Sequence, residues 1–140
     1  KPFWMLNLMK LRPLAIYPDG LHPEVKSGRH AHRLYERMVL KQLLRRGSYP
    51  VFASRKIANV ANGGTGADFF EDMAIVRYRS RRDMLEMIGN PAYIEGVVHK
   101  WAALETSVIV PTRRILLLDL GLLVPLVLMS IGLLACRLVG

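Results

Sequence analysis

Four histidines, His22, His30, His32 and His99, are the side chains of this sequence best suited to proton transfer or metal binding near neutral pH. His30 and His32 flank Ala31 at the start of a helical pattern. That i, i+2 spacing puts them on different helix faces, and no cysteine or carboxylate cluster accompanies them, so no metal site is expected. His22 lies among turn residues and reads as solvated. His99 falls in a later helical pattern and is a candidate acid–base group, with no partner beside it in sequence. Asn7, Arg77 and Arg79 fall mid-strand. If they face the open side of the sheet they would line a polar pocket for an acidic ligand; if they face out they are edge charges, and a slip of one residue reverses the answer. His99, Asn7 and Arg77 are therefore the catalytic candidates. The glycine-rich run Asn62–Gly66, NGGTG, lacks the Lys-Ser/Thr ending and the following helix of a phosphate loop, and reads as a hairpin tip. Cys136, the single cysteine, stands in an apolar tail with no base nearby, a poor nucleophile. No cofactor is implied.

The charge has more pattern than the histidines. The chain of 140 residues carries a net charge of +9. The excess lies wholly before residue 115, because Asp119 and Arg137 cancel in the tail. Such a balance suits an anionic partner. Arg29, Arg33, Arg37, Lys41 and Arg45 recur every four residues, a basic stripe opposite Leu34, Met38 and Leu43. A solvated face explains such a stripe; the functional reading is contact with anionic lipid or an acidic protein. No recognition motif accompanies it, so no nucleic acid is expected. A lone cysteine excludes an intramolecular disulfide framework.

Stepping along the chain, Phe3–Leu11 (FWMLNLMKL) reads as a strand apolar on both sides, with Phe3, Met5 and Met9 against Trp4, Leu6 and Leu8. Pro18 to Gly28 is turn chemistry. Residues 29–47 read as a helix stopped by Gly47, YPVFASRKIANV as a second strand, and DFFEDMAIVRYRS as a third. SRRDMLEMIGN opens with Ser80 as N-cap and Asp83 three residues on, the spacing of a capping box. Asn90-Pro91 breaks that helix, AYIEGVVHKWAALE resumes it, and TSVIVPT is the last strand. The order is β-α-β-β-α-β, an α+β ferredoxin-like fold over residues 1–112. Two helices cover only one face of a four-stranded sheet, so the other apolar face needs a cover, and a second copy packed sheet to sheet would supply it.

The MLNL strand, the RYRSRRDMLEM passage, the Asn90-Pro91-Ala92-Tyr93 break and the HKWAALETSVI return resemble a bacterial family of unknown function in the dimeric α/β-barrel superfamily. The resemblance covers roughly residues 2–112. It implies a ferredoxin-like domain that pairs, in a superfamily of small monooxygenases, isomerases, heme-handling enzymes and members without known activity.

Residues 113–140 depart from that pattern. Ile115 to Cys136 carries one charge, Asp119, and at about 1.5 Å per residue would reach roughly 33 Å, enough for a transmembrane helix. Arg113 and Arg114 precede it and Arg137 follows. The positive-inside rule then expects a single-pass protein of the inner (plasma) membrane, its N-terminal domain cytoplasmic. No signal peptide is read in KPFWMLNLMK, soon broken by Arg12 and Pro13. Gly121, Pro125, Leu128, Gly132, Ala135 and Cys136 share one side of the helix, a face on which another helix could pack. Asp119 lies opposite, near the headgroup layer. The first functional expectation is an accessory, non-catalytic subunit of a larger integral membrane complex, respiratory or photosynthetic, held against anionic lipid. The alternative is a membrane-tethered enzyme of the monooxygenase or isomerase kind acting on a small substrate such as a quinone.

Overall fold

In the computed structural model, residues 1–59, 67–113, 115 and 120–139 are described. The elements run β1 (Phe3–Leu11), α1 (Gly28–Leu44), β2 (Tyr49–Arg55), β3 (Asp72–Tyr78), α2 (Arg81–Ile88), α3 (Pro91–Ala103), β4 (Leu104–Thr112) and α4 (Leu120–Val139). The four strands form one sheet in the order β2-β3-β1-β4, every neighbouring pair antiparallel. This is the ferredoxin-like arrangement that the element order implies: each β-α-β crossover is split by a strand of the other.

Local chemistry sets the boundaries. Ser27 caps α1, its Oγ accepting from the His30 amide at 3.1 Å. Ser80 caps α2 in the same way through the Asp83 amide at 3.1 Å, and Arg79 Nε holds the Asp83 carboxylate at 3.0 Å. Asn90 caps α3 through the Ala92 amide, with Pro91 in the first turn, where no helical hydrogen bond is lost. β4 begins at Leu104, so α3 is shorter than its sequence pattern; β2 and β3 are also shorter than the patterns that contain them.

Period-two alternation splits each strand between two environments. Met9 and Leu11 of β1 join Val25, Ala31, Ala102, Ala103 and Leu104 in the core beneath α1 and α3. Gly28 lets α1 start there. A Cβ on Gly28 would lie 2.2 Å from the Arg12 carbonyl oxygen and 3.0 Å from that of Ala103, both backbone atoms. The even residues of β1 face away from the helices. Across the register Trp4, Leu6 and Leu8 stand beside Arg77, Ile75 and Met73 of β3, and beside Thr112, Val110 and Val108 of β4. Phe52 of β2 adds to them next to Ile75. The result is an open, mostly apolar sheet face; Phe52 is 46% exposed and Val110 40%.

The tail corrects an expectation. Among the described residues α4 spans Leu120–Val139, with Pro125 inside it and Arg137 in its last turn. Its uncharged stretch, Leu120 to Cys136, measures about 25 Å, short of a hydrocarbon core of about 30 Å. Among the described residues no helix is long and apolar enough to cross a membrane. This overturns the single-pass inner-membrane placement and the cytoplasmic topology drawn from it. The accessory-subunit reading and the contact with anionic lipid rested on that span and lose their support. Pro125, Leu128, Ala135 and Cys136 are exposed on α4. Arg114 and Asp119 lie outside the described residues, as do the surroundings of Gly121 and Gly132.

Candidate functional site

Two alanines make a hollow in the sheet. Ala53 of β2 and Ala74 of β3 are register partners on the helix side. With no bulk there, α1 stands off from β2 and β3 and leaves a cavity of about 410 Å³. Its walls are mainly apolar, with Met9, Val39, Leu43 and Val76 prominent, and it opens past Arg33, Arg37 and Leu40 of α1. That size and character suit a small organic molecule.

Five polar side chains enter this apolar space: Asn7, His32, Tyr35, Tyr78 and Lys100, with Glu36 beside them. Lys100, on α3, is only 7% exposed. Its ammonium makes no hydrogen bond or ion pair to any described residue. Its ammonium instead lies 5.6 Å from the centre of the Tyr35 ring and 5.2 Å from that of Trp101, cation–π contacts that partly replace lost water. Burial pushes its pKa below the ordinary lysine value. His32, 8% exposed, is also pushed down, first by burial and then by the Lys100 and Arg29 charges; the Glu36 and Asp72 carboxylates oppose this. Glu36 Oε1 lies 3.4 Å from His32 Nδ1. A carboxylate there favours the tautomer with its proton on Nδ1 and leaves Nε2 as a base. Burial pushes both phenols up, Tyr78 to about 12, with Tyr93 contributing, and keeps them neutral donors. Asn7 Nδ2 donates to the Met5 carbonyl at 3.1 Å and the Ala74 carbonyl at 3.5 Å, leaving Oδ1 free to accept.

The structure does not bring the sequence-selected candidates together. Asn7 faces the helix-side cavity. Arg77 lies on the open face at the β2 edge, over the Tyr49 ring at 5.3 Å, and donates to the Gly47 carbonyl at 3.3 Å. His99 is in a third place, against the β1–α1 connection, with its Nδ1 2.7 Å from the Tyr17 hydroxyl and its ring 4.7 Å from that of His22. His22 has φ of 55°, the left-handed region uncommon outside glycine. Arg29, Arg33, Arg37, Lys41 and Arg45 are all exposed along α1; Arg29 lies 3.9 Å from Asp72 Oδ2. The NGGTG run falls outside the described residues, and Arg113 is exposed. Among the described residues there is no cluster of three or more metal-ligating side chains.

Sequence reasoning passed over Lys100, Tyr35 and Tyr78. A signal existed: Lys100 sits alone between VVH and WAA, in a helix that must bury one face, where an unpaired lysine is rare. His32 and Glu36 stand at i, i+4, the spacing at which they meet.

The strand order and the split crossovers define an α+β protein of ferredoxin-like fold. No protein-family model matches the chain, nor does any curated protein. Solved structures do. A Rhodopseudomonas palustris protein of unknown function, RPA0582, has TM-score 0.69 at 28% identity, covering 83% of this chain and 84% of that one. Its methylated form gives 30% identity at the same TM-score, over 86% and 83%. The chain belongs to the family of this R. palustris protein. SnoaB, a cofactor-independent oxygenase from Streptomyces nogalater, matches at TM-score 0.53 and 8% identity, over 84% of this chain and 97% of that one. At that identity the likeness is one of fold.

Proposed function

We propose that the helix-side cavity binds a small, largely apolar molecule and carries out proton transfer on it. The observation that carries this reading is Lys100, buried and unpaired beside a neutral His32 in an apolar hollow. A buried amine without a carboxylate costs stability, and a ligand that becomes negative supplies the missing partner.

His32 Nε2 takes a proton from a weakly acidic position, a C–H beside a carbonyl or a phenolic O–H, and becomes imidazolium. The electron pair stays on the ligand as an enolate or phenolate. Lys100 and the Tyr78 and Tyr35 hydroxyls stabilise that anion. Returning the proton to a different carbon completes an isomerisation without any further reactant. Of the monooxygenase and isomerase alternatives, the isomerase needs only these groups; an oxygenase needs dioxygen in addition.

The test is hydrogen–deuterium exchange at the α-carbon of 2-tetralone in D2O, followed by NMR. The wild type should accelerate exchange above buffer. His32→Gln should lose about 10²–10⁴-fold, the usual worth of a positioned base. Lys100→Met should also lose rate. Exchange at the buffer rate in the wild type, or full rate in His32→Gln, would remove the assignment.

The open face has its own role in this reading. We propose that it pairs with a second copy, which buries Leu6, Leu8, Ile75, Phe52, Val108 and Val110. Light scattering should give a dimer, and Ile75→Lys a monomer; a wild-type monomer at high concentration would refute the pairing.

A further inference from the structure

The mouth of the cavity carries chemistry that its interior does not use. Arg33 and Arg37 line the cavity and also a second hollow of about 300 Å³ that adjoins it, together with Ser27, His30 and Leu34. Both arginines are exposed, and neither makes an ion pair or hydrogen bond to any described residue. They stand at i, i+4 on α1, one turn apart, so their guanidinium groups can meet one acceptor. Glu36 is the one carboxylate among the residues lining either hollow, and it is engaged by His32. The groove is therefore cationic, and the cavity leading from it is apolar with a buried lysine on its wall.

We propose that this cavity selects an organic acid: a ring-sized apolar body between α1 and the sheet, its carboxylate outside on Arg33 and Arg37, and its reactive position inside by His32 and Lys100. The proposal rests on the cavity being the ligand site, and it adds the class of ligand. Two guanidiniums match a carboxylate in a fork geometry that a neutral ester or amide cannot use. The apolar body is required because Met9, Val39, Leu43 and Val76 offer nothing to a small polar acid. Arg33 and Arg37 thereby determine specificity without touching the reacting atoms.

Fluorescence titration of the full chain with 6-hydroxy-2-naphthoate and with its methyl ester tests this. At low salt the acid should bind about tenfold more tightly than the ester, the worth of one or two charged hydrogen bonds at a solvated mouth. The preference should shrink as salt is raised. In R33Q/R37Q the acid should fall to the affinity of the ester, while the ester binds as before. Equal affinity of acid and ester in the wild type, or a preference that survives in R33Q/R37Q, overturns the proposal. Ala74→Phe, with Ala53→Phe as a second variant, fills the hollow and separates the two levels. If both compounds lose affinity there and the wild type still shows no preference, only the head-group selection fails. If neither filling variant weakens either compound, the cavity is not where they bind, and the reading beneath the proposal fails with it.

Discussion

The Tyr17 hydroxyl lies 2.7 Å from His99 Nδ1, which ties the β1–α1 connection to α3. The same connection is held by the Ile16 amide on the Ala102 carbonyl at 3.0 Å and the Arg12 amide on the Ala103 carbonyl at 2.8 Å. His99 thus serves the architecture on one side of α3, while Lys100, the next residue, enters the cavity. Burial and the nearby His22 hold the His99 imidazole below the usual value, so at neutral pH the ring is uncharged and the Tyr17 hydroxyl can donate to it. Tyr17→Phe leaves burial and His22 in place, so the His99 pKa should stay below the ordinary range in an NMR titration. The substitution should cost about 1 kcal/mol of stability, the net worth of one such bond. The 2-tetralone exchange rate should stay as in the wild type; a collapse of that rate would return His99 to the chemistry.

Lys100→Met separates stability from function. Methionine keeps the stem's apolar packing and removes a buried cation that lacks a carboxylate. Denaturant unfolding should show the variant more stable by about 1 kcal/mol, while exchange activity falls. A variant that is both less stable and fully active would mean that the ammonium is a structural group.

The pH dependence of stability follows from the same burial. The His32 pKa is lowered from 6.5 in the fold, and that of His99 likewise, so on acidification the unfolded chain takes up these protons first. Their contribution is fully present above about pH 6.5 and is lost as pH falls through the folded values. Asp83, pulled down to about 2 by Arg79 and Ser80, acts in the same direction at lower pH. The urea midpoint should therefore fall between pH 7 and pH 5, and the His32→Gln variant should show a smaller fall. A midpoint that rises on acidification would contradict the burial of His32.

Two glycines with crowded surroundings should respond differently to alanine. At Gly28 the new methyl meets the Arg12 and Ala103 backbone carbonyls, which the hydrogen bond from the Arg12 amide to the Ala103 carbonyl holds in place. At Gly96 it meets the Met38 Cε, 2.6 Å away, the end of a flexible side chain. Gly28→Ala should cost about 3 kcal/mol, the upper part of the overpacking range, and Gly96→Ala about 1 kcal/mol or less, as Met38 repacks. Thermal unfolding of both variants checks the order.

These features differ in how far the residues alone reveal them. The strand Phe3–Leu11 was visible because its residues are apolar on both sides. Ser80 announces its helix because capping is local chemistry, and Asn90-Pro91 marks the break that follows it. The sided strands and two helices are enough to show that one sheet face needs a cover. The cavity was hidden because it depends on two alanines, Ala53 and Ala74, that meet only in the β2–β3 register. Lys100 was hidden behind His99, the better-known kind of catalytic residue one position earlier. The tail misled because hydropathy counts residues without showing which of them share one helix: Ile115 lies outside α4, described over Leu120–Val139, and Arg137 falls in its last turn.

Methyl NMR of the full chain with 6-hydroxy-2-naphthoate tests the central assignment most directly, because adjacent strand residues report opposite faces of the sheet. The account expects the methyl groups of Ala53, Ala74, Val39 and Val76 to shift on binding, while those of Leu6, Ile75, Val108 and Val110 stay in place. Shifts confined to the second set would put the ligand on the open face and contradict the assignment of the cavity.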